Sequence, residues 1–371
     1  MNRTVKVYFQ LMMIVMVCLL AVACSVSDQE VGDPSDANKG TGPETSSPSE
    51  ESNSLDRTYT VGTSPVGSSY NSVANGFASV VSQNSNIRLS VSPYAGPAAW
   101  PPLVNSGEVD FGTASGPEST WAYNGEHGFE PAPNLRLLVR GNYVQVVGAV
   151  VRQDSDIEKI RDLAGKRLTS DFPGSTISRL ILDAALTVNG LTWDDVHQVP
   201  VPSTTSGIEA LRDNQVDAAF ALAPSTPIMQ EVHNAIGLKE VGFLDDYGPD
   251  EIDQVPQEII DQITQRVPGS MLINHQPEGF VSKETVGLAY PNQIVVGAHV
   301  PDEVVYEVLE TLWAHYEELH PIHPWLSGFT PEQMFNPEPS MPYHPGAVQF
   351  FKDKGLWNDD VEAIQQQLML N

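Results

Sequence analysis

Cysteine is almost missing from this 371-residue chain: the only two are Cys18 and Cys24, both close to the N-terminus. Everything beyond them is therefore without disulfides, thiolate metal sites and cysteine nucleophiles. A chain built this way has to be held together by its core, and 41% hydrophobic residues over this length suffice to form one. Cations are scarce as well. The 19 lysines and arginines stand against 47 aspartates and glutamates, and the formal charge of −28 argues against nucleic acid and anionic membrane surfaces as partners. Catalytic signatures are also lacking, with no Gly-X-Ser-X-Gly elbow, P-loop or dinucleotide fingerprint. His320, His323 and His344 lie among prolines with no carboxylate completing a ligand set, so they are expected in turns. No metal, cofactor or catalytic activity is expected.

What is present begins with an export signal over residues 1–24. Arg3 and Lys6 form its charged start, and Leu11 to Val22 is an apolar run too short for a comfortable spanning helix. Its end, Leu20-Ala21-Val22-Ala23-Cys24, resembles the lipobox of bacterial lipoproteins, in which the cysteine is acylated and becomes the new N-terminus. Ala21 stands where that motif usually has leucine. Residues 25–57 are rich in Ser, Asp, Glu, Pro and Gly with few large apolar side chains, the composition of a flexible acidic tether. A membrane-anchored protein outside the cytoplasm is the expected result.

Beyond residue 57 the pattern becomes strand, polar turn, helix, repeated. Tyr59 to Thr63 is a β-prone run, Ser64 to Tyr70 a small-residue turn, and Val73, Phe77, Val80 and Val81 recur at helical spacing. Lys166 to Asp171, Phe172 to Thr176 and the amphipathic run Ile177 to Val188 repeat the unit. A closer echo links Leu103 to Gly112 with Leu211 to Phe220: in each, a helix end leads through Val-Asp into a small-residue strand and a turn containing serine and proline. Two such units predict a two-lobed α/β fold, each lobe a mixed, mainly parallel sheet flanked by helices. Leu135 to Val151 is too long for one ordinary strand and is expected to cross between the lobes, with a return through Thr285 to Val300. Val304 to Tyr316 then marks an amphipathic helix. The expected division is 58–146 with 289–371 as one lobe and 147–288 as the other, joined by a two-segment hinge.

In open α/β sheets ligands bind beyond the carboxyl ends of the strands, where helix N-termini present unpaired amides and partial positive charge. The candidate ligand-binding residues follow from that rule. They are Thr63, Ser64, Ser68, Ser69 and Tyr70 in the first turn, Ser115 and Glu118 after the second echo strand, Ser175 and Thr176, Thr204, and Ser225. Each hydroxyl can equally cap its own helix, and Glu118 can be an ordinary first-turn charge. Arg140 and Arg179 are the candidate cations, because arginine pairs bidentately with a carboxylate; an ion pair with a neighbouring acid is the alternative for each. The expected ligand is a small organic anion.

In sequence order, the chain resembles the TAXI-type solute receptors of TRAP transporters over nearly all of its folded part. The resemblance runs through Val61-Gly62-Thr63 with Gly67 and Tyr70, Leu103 to Gly112, Asp162-Leu163-Ala164-Gly165-Lys166-Arg167 and Gly190 to Val196. It continues through Gly207 to Leu211 with Val216 to Phe220, Pro321-Ile322-His323-Pro324 and Pro342 to Ala347. It implies a type II periplasmic-binding-protein fold, no catalysis, a carboxylate or amino acid ligand such as glutamate or 2-oxoglutarate, and delivery to TRAP membrane subunits. Serines at the first loop and Ser115-Gly116-Pro117 depart from the glycines of many relatives. A receptor for an ATP-driven importer, or a sensory protein of the same fold, is the alternative.

Overall fold

The computed structural model describes residues 57–370; the signal, Cys24 and almost all of the tether lie outside the described residues. The first half of the chain alternates β1 (Thr58–Thr63), α1 (Ser69–Asn84), β2 (Arg88–Pro93), α2 (Pro101–Ser106), β3 (Phe111–Ser115) and α3 (Gly116–Asn124). β1 pairs in parallel with β2 on one side and β3 on the other. Their centre is seated on Trp100, which is fully buried. A Cβ on Gly112 would stand 2.3 Å from the indole ring and one on Gly62 would meet it at 3.0 Å. Glycine in both strands lets the ring lie flat against the backbone.

The chain then leaves through β4 (Leu135–Val146) into a second sheet. Here stand β5 (Ala149–Arg152), β6 (Arg167–Ser170), α4 (Thr176–Val188), β7 (His197–Pro200), α5 (Thr204–Arg212), β8 (Ala218–Ala219), α6 (Pro227–Ile236) and β9 (Leu238–Val241). The strand order is β7-β6-β8-β5-β9. α7 (Gln257–Arg266) packs on α4 and leads to β10 (Met271–His275), and β11 (Thr285–Gly297) carries the chain back. α8 (Asp302–Ala314) buries Val304, Val305, Val308, Leu309 and Leu312 against α1 and α9 (Pro345–Asp353), and α10 (Asp359–Leu370) ends the described chain.

β4 runs antiparallel to β11 from Leu135 opposite Gly297 to Val146 opposite Leu288, with register breaks around Pro291 and at Ile294. Proline has no ladder donor, which is one physical reason for a break there. These two strands connect the sheets. Among the named strands, β2-β1-β3 and β7-β6-β8 pair in parallel while the connecting strands and β10 enter antiparallel, so both sheets are mixed. β10 lies in the stretch expected for the second lobe, yet it pairs with the nearer half of β11 and so joins the first sheet's ladder.

The Val-Asp echo has a structural cause. Asp110, almost fully buried, accepts the Thr60 N–H at 2.8 Å, its hydroxyl at 3.1 Å and the Arg57 guanidinium at 2.6 Å, with His299 Nε2 at 3.0 Å. Asp217 accepts the Arg167 N–H at 2.8 Å and its guanidinium at 2.7 and 3.2 Å. Each carboxylate therefore pins a neighbouring parallel strand of its own lobe, β1 for Asp110 and β6 for Asp217.

Candidate functional site at the inter-lobe gap

Four helix starts meet where the two sheets face each other. Ser68 caps α1 by accepting the Asn71 N–H, and the left-handed Gly67 beside it accepts the Ile228 N–H from the start of α6 at 3.3 Å. Ser69 Oγ lies 2.9 Å from Thr226 Oγ1, so the starts of α1 and α6 touch across the gap. Ser203 caps α5, and Thr204 faces the same space. Gly96, in the turn after β2, and Gly174, in the turn before α4, form the rim. The Gly174 carbonyl accepts the Ala98 N–H at 3.2 Å, and no side chain separates the two backbones.

The lining includes Ser64, Ser68, Ser69, Tyr70, Ser175, Ser178, Thr204 and Thr226, backed by Val144, Val146, Phe220 and Tyr290. No charged side chain is among them. The enclosed space is about 30 Å³, against roughly 300–1,000 Å³ for small-molecule sites. A solute can enter only if the lobes move apart.

Glu118 lies at the buried side of this gap. Ser115 caps α3 by accepting the Glu118 N–H at 3.1 Å, and its hydroxyl donates to Glu118 Oε2 at 2.9 Å. The other carboxylate oxygen accepts the Ile177 N–H of α4 at 3.2 Å and faces Ser175 Oγ at 3.5 Å. Ser175, the residue that precedes α4, makes no side-chain cap bond of its own. Glu118 supplies that cap from the other lobe. Burial raises its carboxyl to about 7, although the hydrogen bonds from Ile177, Ser115, Ser175 and Thr176 oppose the shift. Burial likewise pushes the Tyr70 and Tyr290 phenols upward, with the nearby carboxylate adding to it.

Of the sequence candidates, Ser64, Ser68, Ser69, Tyr70, Ser175 and Thr204 line the gap. Thr63 is fully buried beneath it, 2.8 Å from Thr113 Oγ1, and supports the turn instead. Thr176 contributes its backbone toward Glu118, and Ser225 presents its carbonyl to His323 Nε2 at 3.3 Å. The two arginines are corrections. Arg140 donates to the Gln333 carbonyl at 3.3 Å and reaches Asn336 Oδ1 at 3.5 Å in a separate groove of about 220 Å³. Arg179 pairs with Asp171 at 3.4 Å and stacks over Trp193 at 4.3 Å. Local acceptors and an aromatic face draw both away from the gap.

Sequence reasoning missed Tyr290, Trp325, His323 and the paired glycines. Trp325 lines the gap and meets the Tyr70 ring edge-on at 5.2 Å. His323 accepts the Trp325 N–H through Nδ1 and donates through Nε2 to the second lobe. That pair of roles belongs to the neutral imidazole, and burial lowers the group's tendency to protonate. The one available signal was Tyr290-Pro291 in the middle of an apolar strand, where proline marks an irregularity.

Two α/β lobes joined by paired connecting strands, with polar turns of both around one gap, define the two-lobed periplasmic-binding-protein fold. The chain belongs to the NMT1-like family, whose pattern covers residues 61–355. Among solved structures it is similar to the periplasmic aliphatic sulphonate binding protein of Escherichia coli, with 14% identity over 85% of this chain and 99% of that one and a TM-score of 0.42. It is also similar to the alkanesulfonate-binding protein of Xanthomonas axonopodis pv. citri bound to MOPS, with 14% identity over 82% and 95% and a TM-score of 0.41. A structure described as a periplasmic transporter is similar at 12% identity over 85% and 98%, with a TM-score of 0.48. The two-lobed fold described above is the one the TAXI-type resemblance implies, while the family matched is the NMT1-like one.

Proposed function

We propose that this protein is an extracytoplasmic receptor that closes its two lobes over a small organic anion and presents it to a membrane importer, without catalysing a reaction. The observation that carries this reading is the convergence of the α1, α4, α5 and α6 starts, two of them in direct contact across the gap. Unpaired amides at helix starts stabilise an anion by roughly 0.3–1 kcal/mol each, and by more when partly buried. With no arginine or lysine among the described lining residues, the anion would be held by amides and hydroxyls alone. That favours a ligand with one compact charged group, a carboxylate or a sulfonate.

Family membership fits the receptor of an ATP-driven importer at least as well as the TRAP receptor that the sequence resemblance implies. Uptake that persists when ion gradients are collapsed but ATP is maintained supports the ATP-driven class; uptake that stops supports TRAP. Membrane attachment through Cys24 belongs to this proposal too, and mass spectrometry of the exported protein tests it by the presence or absence of an acylated Cys24.

A thermal-shift screen tests the anion reading. Binding at 100 times Kd stabilises the folded state by about 2.7 kcal/mol, which corresponds to a rise of several degrees for a chain this long. Carboxylates or sulfonates should produce the rise, whereas a panel in which only neutral sugars or polyamines do so rejects the anion class.

A further inference from the structure

We propose that Glu118 is a latch between the lobes: a side chain of the first lobe that completes the cap of α4 in the second and so holds the gap shut. The geometry is specific. Glu118 belongs to α3, anchored by Ser115 on both its N–H and its carboxylate, and it reaches past its own lobe to the Ile177 amide. α4 has no side-chain cap bond from its preceding residue, so opening the gap leaves its first amides without this acceptor. The contact is 1% exposed and lies on the same side as the Ser69–Thr226 and Gly67–Ile228 contacts that also bridge the lobes. The inference rests on the receptor reading only in taking the lobes to move about β4 and β11.

A carboxyl latch in such a place is sensitive to pH. The groups facing it are the Tyr70 phenol from α1 and the Tyr290 phenol from β11. Arg136 and Arg140 on β4 are engaged with carbonyl oxygens elsewhere, and Arg179 and Asp183 on α4 pair with Asp171 and Arg266. Among the described residues no cation therefore offsets the burial of the ionised form. Its carboxyl is raised in the closed arrangement, to about 7 from an ordinary 4.5. The sign follows: protonation favours closure, the contribution is complete below the ordinary value, and it is lost as pH rises toward 7. The closed-to-open ratio should fall about 200-fold between pH 4 and pH 8.

The unit Ser52–Asn371 is compact, carries the core described above and contains no cysteine, so spin labels can be placed on cysteines introduced at the exposed Val66 and Gln230. With solute removed by extensive dialysis, the inter-label distance measured by pulsed electron paramagnetic resonance should be shorter at pH 5 than at pH 8. Glu118→Gln should stay short at both values, and Glu118→Ala should lengthen the distance at pH 5. A wild-type distance that ignores pH, a Glu118→Gln protein as pH-sensitive as wild type, or a Glu118→Ala protein still short at pH 5 overturns the latch. If carboxylates or sulfonates shorten the distance while pH and both substitutions do nothing, the latch fails and the receptor reading stands. A distance that no solute, pH or substitution alters rejects the lobe motion on which both depend.

Discussion

Gly174→Ala is expected to weaken capture of the solute about 5- to 150-fold, because forced overpacking costs about 1–3 kcal/mol. The added Cβ would stand 2.0 Å from the Ala95 carbonyl oxygen and 2.5 Å from its carbon. Both are backbone atoms of the opposing lobe, so no flexible side-chain end can move aside. Gly96 is the poorer test, since its φ of +152° would add local strain of its own, whereas Gly174 has no such conformation. The substitution therefore acts on closure more than on either lobe alone. Calorimetric titration with the best solute from the thermal-shift screen measures it, and an unchanged affinity would mean that this rim contact takes no part in the bound form.

Asp110→Ala should destabilise the folded chain by about 2 kcal/mol, chiefly by leaving the part-buried Thr60 amide and hydroxyl without their acceptor, since the half-exposed Arg57 can turn to water. It would leave the Thr60 amide, the Arg57 guanidinium and His299 without their shared acceptor inside the first lobe. Asp217→Ala, the equivalent change in the second lobe, should cost only about 1 kcal/mol, since solvent screens that ion pair. The difference comes from burial: the Asp110 side chain is 3% exposed and that of Asp217 is 32% exposed. Urea unfolding of the two variants tests the contrast, and equal losses would contradict it.

These two aspartates also show what the sequence made legible. The Val-Asp echo was visible because each lobe solves the same local problem, fastening a neighbouring parallel strand, with the same residue. The hydroxyl-rich turns were visible because capping is governed by residues within three positions. The connecting strands betrayed themselves by length, and the α8 stripe by its spacing. The arginines were misplaced for a different reason. A guanidinium at the end of a long stem settles wherever acceptors and aromatic faces happen to lie, and Gln333, Asn336, Asp171 and Trp193 are supplied by distant or separately folded segments. Glu118 looked like a first-turn charge on its own helix, and its cross-lobe partner Ile177 is 59 residues away. Gly96 and Gly174 had no separate signal, because each looks like an ordinary turn glycine until the opposing backbone is in place.

The central claim is that helix starts from both lobes grip one solute in the gap between them. Amide hydrogen exchange of Ser52–Asn371, with and without the most stabilising anion, tests it most directly. Slower exchange should appear together at residues 69–71, 176–178, 204–206 and 228–229. Protection confined to one lobe, or centred on the surface groove around Arg152 and Asp213, would contradict the claim.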